Sequence, residues 1–257
     1  MWRGEGVITA LLSAKTVLIA IWFALLALGE RAAPAAPRPP GEARVLRNLV
    51  LWGANTLMSP FMTVPIGAAA AALQIWTRPD LGWAGLALDL VALDLWTYVW
   101  HRANHEWPLL WRFHRVHHLD RFLDTTSAVR FHPGEVLISA LARAPLIVAL
   151  DIPLLSLVVF DTLVLASALF HHSNVRLPAA LESALRVAVV TPSHHWVHHH
   201  TLRADTDSNY GALLTLWDRL FGSWSRRQRT PDMAIGAGDD PDGTLAMLAA
   251  APFMRQR

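Results

Sequence analysis

The stretch VITALLSAKTVLIAIWFALLAL, residues 7–28, carries one charged side chain in 22 positions. A bilayer is crossed by about 20 apolar residues, so this segment points to a membrane fold before any other feature is read. A cleaved leader is the competing reading, because RAAPAAP (31–37) offers small residues for processing. Its apolar region would be about twice the usual ~7–15 residues, and a retained span is expected. The composition agrees with a membrane protein: 53% hydrophobic, 16% charged and a mean hydropathy of +0.31, where soluble domains carry about 25% charge. Cysteine is absent, which excludes disulfides, thiolate-held clusters and cysteine nucleophiles. The 22 basic residues nearly balance 20 acidic ones, so no nucleic-acid partner is indicated.

Further apolar runs follow. Residues 49–76 read as a second span bent near Pro60 and Pro65, TRPD (77–80) as a tight turn, and 81–100 as a third span. Residues 136–150 and 153–170 read as two shorter helices reversing at DIP (151–153), a hairpin that enters the bilayer and returns. The expected fold class is all-α integral membrane, with about four transmembrane or membrane-embedded helical units and a cytoplasmic histidine-rich helical cap. The chain divides into an N-terminal transmembrane helix (1–30), a Pro/Ala linker (31–44) that cannot be helical throughout, a main domain (45–225) and a loose tail (226–257). Arg31, Arg38, Arg44 and Arg47 fall on the same side as the histidines, with Arg3 and Arg78 opposite. The positive-inside rule then makes the histidine side cytoplasmic. Arg143, inside an apolar run, has no evident partner.

All 13 histidines lie between positions 101 and 200. WRFHRVHHLD (111–120) holds His114, His117 and His118; SHHWVHHHTL (193–202) repeats those offsets with His195, His198 and His199. HRANH adds His101 and His105. Positions three and four apart share a helix face, so each motif aims its rings one way. Imidazole suits iron, zinc, copper and nickel. Eight ring nitrogens exceed what one ion takes, and two metals are expected. Thirteen titratable rings at a membrane surface without metal would be costly. HPGE (132–135) looks like a haem-binding loop but leads straight into an apolar run. A zinc hydrolase would want an HExxH arrangement, whereas this chain has HxxxHE.

These motifs, with RVLRNLVLWGANTL (44–57), LDLWTYVWHRANHEWPLLWRFHRVHH (93–118), RFHP (130–133), FHHSNVRLP (170–178), TPSHHWVHH (191–199), DSNYG (207–211) and WDRLFGSW (217–224), resemble the fatty acid hydroxylase/sterol desaturase superfamily of membrane di-iron oxygenases, in its bacterial sterol desaturase branch. The likeness runs over about 180 residues in the family's order. It implies metal ligation by His101, His105, His114, His117, His118, His195, His198 and His199, and extends to His132 and His172. It leaves His171, His194 and His200 without an assigned role. It also implies two Fe ions (with Zn possible in a recombinant preparation), O2 as co-substrate, a lipid-like substrate that is hydroxylated or desaturated, a separate electron-transfer protein, and a place among the lipids of a bacterial inner membrane. The rival from another class is a histidine-rich membrane metal transporter or metal-binding protein. A transporter would put its ligands near the bilayer midplane, whereas these lie at span ends.

Among supporting groups, Asp94 shares a face with Tyr98, His101 and His105 but stands about 10 Å from His101 along the axis, so a packing role competes with one at the metal. Asp161 shares a face with His172. Asn174 is a candidate for bonding a ligand ring. Asp207–Asn209 is open between capping and that role. Asp89 reads as structural, and Arg130 as a carboxylate anchor.

Overall fold

The computed structural model describes residues 5–238 and 242–254, with side chains from residue 13 onward; Arg3 lies outside the described residues. Among these, secondary structure is helical apart from isolated β-bridges. The α-helices are α1 (Glu5–Ala32), α2 (Ala43–Met58), α3 (Thr63–Ala72), α4 (Gly82–Glu106), α5 (Pro108–His118), α6 (Pro133–Ala149), α7 (Leu154–His172), α8 (Ala179–Leu185), α9 (Pro192–His198), α10 (Arg203–Thr206), α11 (Leu216–Leu220) and α12 (Leu245–Ala250).

Among the described residues, three stretches are long and apolar enough to cross a membrane: Ser13–Ala32 in α1, Ala43–Ala72 through α2 and α3, and Leu154–His172 in α7. Their large side chains face outward, as a lipid environment permits: Leu57 is 75% and Phe61 83% exposed. The break between α2 and α3 falls at Ser59–Phe61, a 3-10 turn with Pro60 in its first positions. Proline supplies no amide hydrogen to a continuing helix. The expected span at 81–100 is a helix, α4, but it is not among the three, since Asp89 and Asp94 lower its hydropathy. Both carboxylates are buried and satisfied. Asp89 pairs with Arg78 at 2.5 Å and accepts from Ser156 at 2.6 Å, the structural role the sequence suggested.

Helices α3, α4, α6 and α7 bury a common core of Ala70, Leu93, Ile147, Ile152, Leu157 and Phe160. The reversal between α6 and α7 turns at Asp151, whose φ of 49° is left-handed and whose carboxylate accepts from the Arg78 amide at 3.1 Å. Arg143 on α6 does have a partner: Asp161 on α7, 2.7 Å away. Asp161, on the same helix face as His172, thus spends its carboxylate on Arg143 rather than on a ligand ring.

Helix α1 is tied into the fold. Trp22 Nε1 donates to the Ala166 carbonyl of α7 at 2.9 Å. Glu30 accepts from the amides of Thr125 and Asn174 and from the Thr125 hydroxyl. The 31–44 linker is irregular from Ala33 onward but pinned, because Asn174 both accepts from the Ala36 amide and donates to its carbonyl, each at 2.9 Å. Asn174 therefore holds the linker and bonds no ligand ring.

The segment after Arg226 is, in its described residues, docked rather than loose. Ile235 pairs across a β-bridge with His200, and Leu248 and Ala251 pack under Leu51, Val116 and Leu119. Asp242 bonds Arg47 at 2.5 Å and Arg130 at 2.7 Å. Its Gly/Asp/Pro-rich composition signalled flexibility, but a few apolar and acidic residues suffice to dock it.

Candidate metal centre

One residue, Trp107, separates α4 from α5, and Pro108, which has no amide hydrogen to leave unpaired, opens the second helix. This tight corner brings the last turn of α4 against α5. Across from them, Thr191 and Pro192 open α9, which packs on the end of α7. Nine of the ten expected residues converge at this junction, in two groups whose ligand atoms lie within 4.8 Å of one another: His101, His105, His114, His118 and His198 in the first; His117, His172, His195 and His199 in the second.

The two HxxHH motifs interlock. On α5, His114 and His118 (i, i+4) enter the first group while His117 (i+3) enters the second. On α9 and its C-cap the allocation is exchanged: His195 and His199 (i, i+4) enter the second group and His198 (i+3) the first. His101 and His105, again i and i+4, complete one group, and His172 at the end of α7 completes the other. The duplicated pattern thus supplies both halves of each group. The rings stay in contact across the divide, with His118 and His199 stacked at 4.2 Å between centroids.

The outer nitrogens of these rings are held by acceptors. Nδ1 of His101 donates to the Tyr210 carbonyl (2.8 Å), that of His117 to Arg130 (3.2 Å), that of His172 to Ala168 (2.8 Å) and that of His198 to Ser208 (2.7 Å). Nδ1 of His114 donates to Glu135 Oε1 at 2.6 Å. Carbonyls and carboxylates cannot donate, so each of these five rings carries its proton on Nδ1 and leaves Nε2 as a lone pair facing inward.

Two observations test whether metal ions fit. In the first group, Nε2 of His105, His114, His118 and His198 is buried without a hydrogen-bond partner. A buried polar atom left unpaired costs about 1–3 kcal/mol, and four in one place call for a shared partner. In the second, Nε2 of His117 and His172 stand 3.0 Å apart although both rings spend their protons at Nδ1. Two lone pairs that close repel unless a cation lies beside them. Burial depresses the affinity of His117 for a proton well below the ordinary imidazole range, which disfavours H+ as that cation. Nitrogens each about 2.1 Å from one ion and at right angles are about 3.0 Å apart. His172–His195 at 3.0 Å and His195–His199 at 3.1 Å repeat the spacing. The donor set fits two metal ions. Burial is likewise the main cause lowering His105, His118, His195, His198 and His199, so all present neutral rings.

The tenth residue does not join. His132 is the N-cap of α6: its Nδ1 accepts from the Gly134 amide at 2.9 Å and its Nε2 lies 3.2 Å from the Ala249 carbonyl. Both ring nitrogens serve the backbone, and the ring packs on Phe113 rather than on the centre. His171 is buried against His195 but belongs to neither group. His194 lies 3.4 Å from Asp218 and against Trp224, and His200 bonds Asp205 at 2.7 Å.

Asp94 takes the packing role, accepting from the Leu213 and Leu214 amides and from Trp217 Nε1. It thereby anchors the 210–217 segment, which presents the Tyr210 carbonyl to His101. Arg130 bonds Asp242, the Val116 carbonyl and Asn48. The Asp207 carboxylate approaches His105 Nδ1 at 3.5 Å, while Asn209, at φ 56°, donates to the His194 carbonyl. Sequence reasoning missed two carboxylates. Glu135, in the first turn of α6, was read only as part of a haem-like motif. Asp218 gathers the amides of Tyr210 and Gly211 and the Ser223 hydroxyl.

The fatty acid hydroxylase family model matches residues 86–223, which contain every residue of both histidine groups. The chain is 34% identical over 173 residues to the ornithine lipid hydroxylase OlsE of Rhizobium tropici, covering 66% of this chain and 51% of that protein. It is 29% identical over 174 residues to the alkylglycerol monooxygenase of Danio rerio, covering 66% and 37% respectively. A cholesterol 25-hydroxylase-like protein of Danio rerio is 30% identical over 142 residues, 54% of each chain. The chain thus spans about half the length of the first of these relatives and less of the second. No solved structure matches it. The span of the family match, more than half of the chain, and the histidines it encloses establish that the chain belongs to the fatty acid hydroxylase family.

Proposed function

We propose that the chain is a membrane-bound non-haem di-iron oxygenase that hydroxylates an unactivated C–H bond of a lipid-type substrate, with O2 as co-substrate and electrons from a separate donor protein. The observation that carries the reading is the pair of interlocked, buried histidine groups at the ends of the spans. The lipid hydroxylases and monooxygenases among its relatives support the substrate class, and hydroxylation is preferred to desaturation on the same ground. The nine converging histidines are the proposed ligands; His132 is a capping residue.

Two ions held there would supply the oxidising chemistry, in which R–H, O2, two electrons and two protons give R–OH and water. The chain's own contribution is positional. Carbonyls and Glu135 fix the ring tautomers, the α4–α5 corner and α9 set the ring positions, and burial keeps the imidazoles neutral and water out. Four membrane-embedded units are proposed, α4 being the one with polar partners, and the arginines flanking α1 and α2 favour a cytoplasmic, inner-membrane orientation for the centre. A transporter would hold its ions at midplane, whereas these histidines sit at the ends of the helices.

The test is elemental analysis of protein purified in detergent from iron-supplemented cells, followed by an O2-uptake and product screen of acyl, ether and sterol-like lipids with a chemical reductant. About two irons per chain and an oxygenated lipid are expected. A chain that binds no metal under any loading condition refutes the reading.

A further inference from the structure

Behind α9, on the side away from the metal centre, lies a cleft of about 370 Å3 whose lining includes Arg176, Arg186, Arg227 and Arg229 against a single carboxylate, Glu182. Glu182 is already engaged by the Ser193 hydroxyl at 2.6 Å, and Arg227 by Asp205 at 2.6 Å. The other three guanidinium groups form no ion pair among the described residues.

Two of them are also held in place. Arg229 lies over the Trp196 ring at 5.2 Å and Arg186 over Trp224 at 5.0 Å. Such cation–π seating orients the planar fork before any ligand arrives. Arg229 donates Nη2 to the Val175 carbonyl, but its Nη1 is buried and without a partner. Desolvation pulls its pKa down to about 10, so the group gains when an anion neutralises it.

The position of the cleft narrows the ligand. Ala35, three residues past the end of α1, and Arg176, four residues past the end of α7, both line it. Two candidate spans therefore leave the bilayer at its mouth, which sets it at headgroup depth. Arginine forks match phosphate oxygens bidentately. We propose that this cleft is a binding site for a phosphate group at the membrane surface, held by Arg176, Arg186 and Arg229, whether carried by a lipid headgroup or free in solution. The site does not depend on the metal centre.

Calorimetry on the full chain in a neutral detergent tests this with three probes: dihexanoylphosphatidylglycerol, inorganic phosphate, and dihexanoylglycerol, which lacks phosphate. Phosphatidylglycerol binding well above the dihexanoylglycerol baseline is expected, weakening as salt rises. Phosphatidylglycerol without inorganic phosphate identifies a lipid site, and binding of inorganic phosphate as well identifies a general phosphate site. Arg229→Gln and Arg176→Gln should each weaken binding about tenfold, in line with loss of a charge-assisted bond, while Arg227→Gln changes it less than threefold. Arg176 is exposed and its side chain supports no neighbour, so its variant keeps the test valid if Arg229→Gln fails to fold. Equal binding of all three probes, or undiminished affinity in Arg176→Gln, overturns the proposal.

Discussion

Replacing Glu135 by glutamine removes one negative charge and keeps the side chain's size. Glu135 is 6% exposed, and its Oε1 receives the Nδ1 proton of His114 at 2.6 Å. It sits in the first turn of α6, where the helix dipole favours its charge. The carboxylate does two things for His114: it keeps the proton on Nδ1 and off Nε2, and it fixes the orientation of the ring. Loss of such a partner typically lowers metal affinity about 10–100-fold, or about 1.4–2.7 kcal/mol. The glutamine amide can also turn its NH2 toward the ring, which moves the proton to Nε2 and removes the ligand. His101, His105, His118 and His198 would still hold the first ion, and the second group has no bond to Glu135. Anaerobic Fe(II) titration against a competing chelator should therefore show one of two binding steps weakened about 10–100-fold and the other unchanged within about twofold. If both steps weaken together, or neither moves, the assignment of Glu135 to one ion is wrong.

Three other outcomes follow from the same geometry. His132→Ala should keep both metals and cost only about 1 kcal/mol of stability through the lost cap, whereas His117→Ala and His198→Ala should each lose metal and activity in elemental analysis and turnover. Gly134→Ala would place a Cβ 2.6 Å from the Phe113 ring, and an overpacking cost of about 1–3 kcal/mol should appear as a lower melting temperature. In the metal-free protein, His117, His118, His195, His198 and His199 have folded pKa values below the ordinary 6.5. The unfolded chain takes up protons as pH falls through 6.5 while the fold rejects them. Stability is thus full above that pH and declines below it, by up to about 1.4 kcal/mol per unit for each ring. A melting temperature that stays flat between pH 7.5 and 5 would refute this.

The histidines were legible because helical spacing is written directly in i, i+3 and i+4 offsets, and α4, α5 and α9 honour it. What the spacing could not say was which ring joins which group, since that depends on how three helices cross. His132 fits the family pattern, yet its place before a Pro-Gly helix start makes it a cap. Asp161 shared a face with His172 along one helix, but the hairpin brought Arg143 beside it from another. Glu135 and Asp218 carry no periodic signal at all; their roles arise from chain segments meeting at a distance. The docked tail was hidden for a related reason, because two small apolar contacts and one aspartate barely register in composition.

The exchange of i+3 residues between the groups has a geometric consequence. A centre assembled from whole helices facing one another would widen or narrow whenever those helices breathe. Here His114 and His117 on one helix serve opposite groups with ring centroids 5.5 Å apart, and His195 and His198 do so at 5.1 Å. The ruler between the two ring groups is therefore the pitch of a single hydrogen-bonded helix, written twice. Lipid pressure or thermal motion that slides α5 against α9 would tilt the two ring groups together while leaving the spacing between them nearly constant.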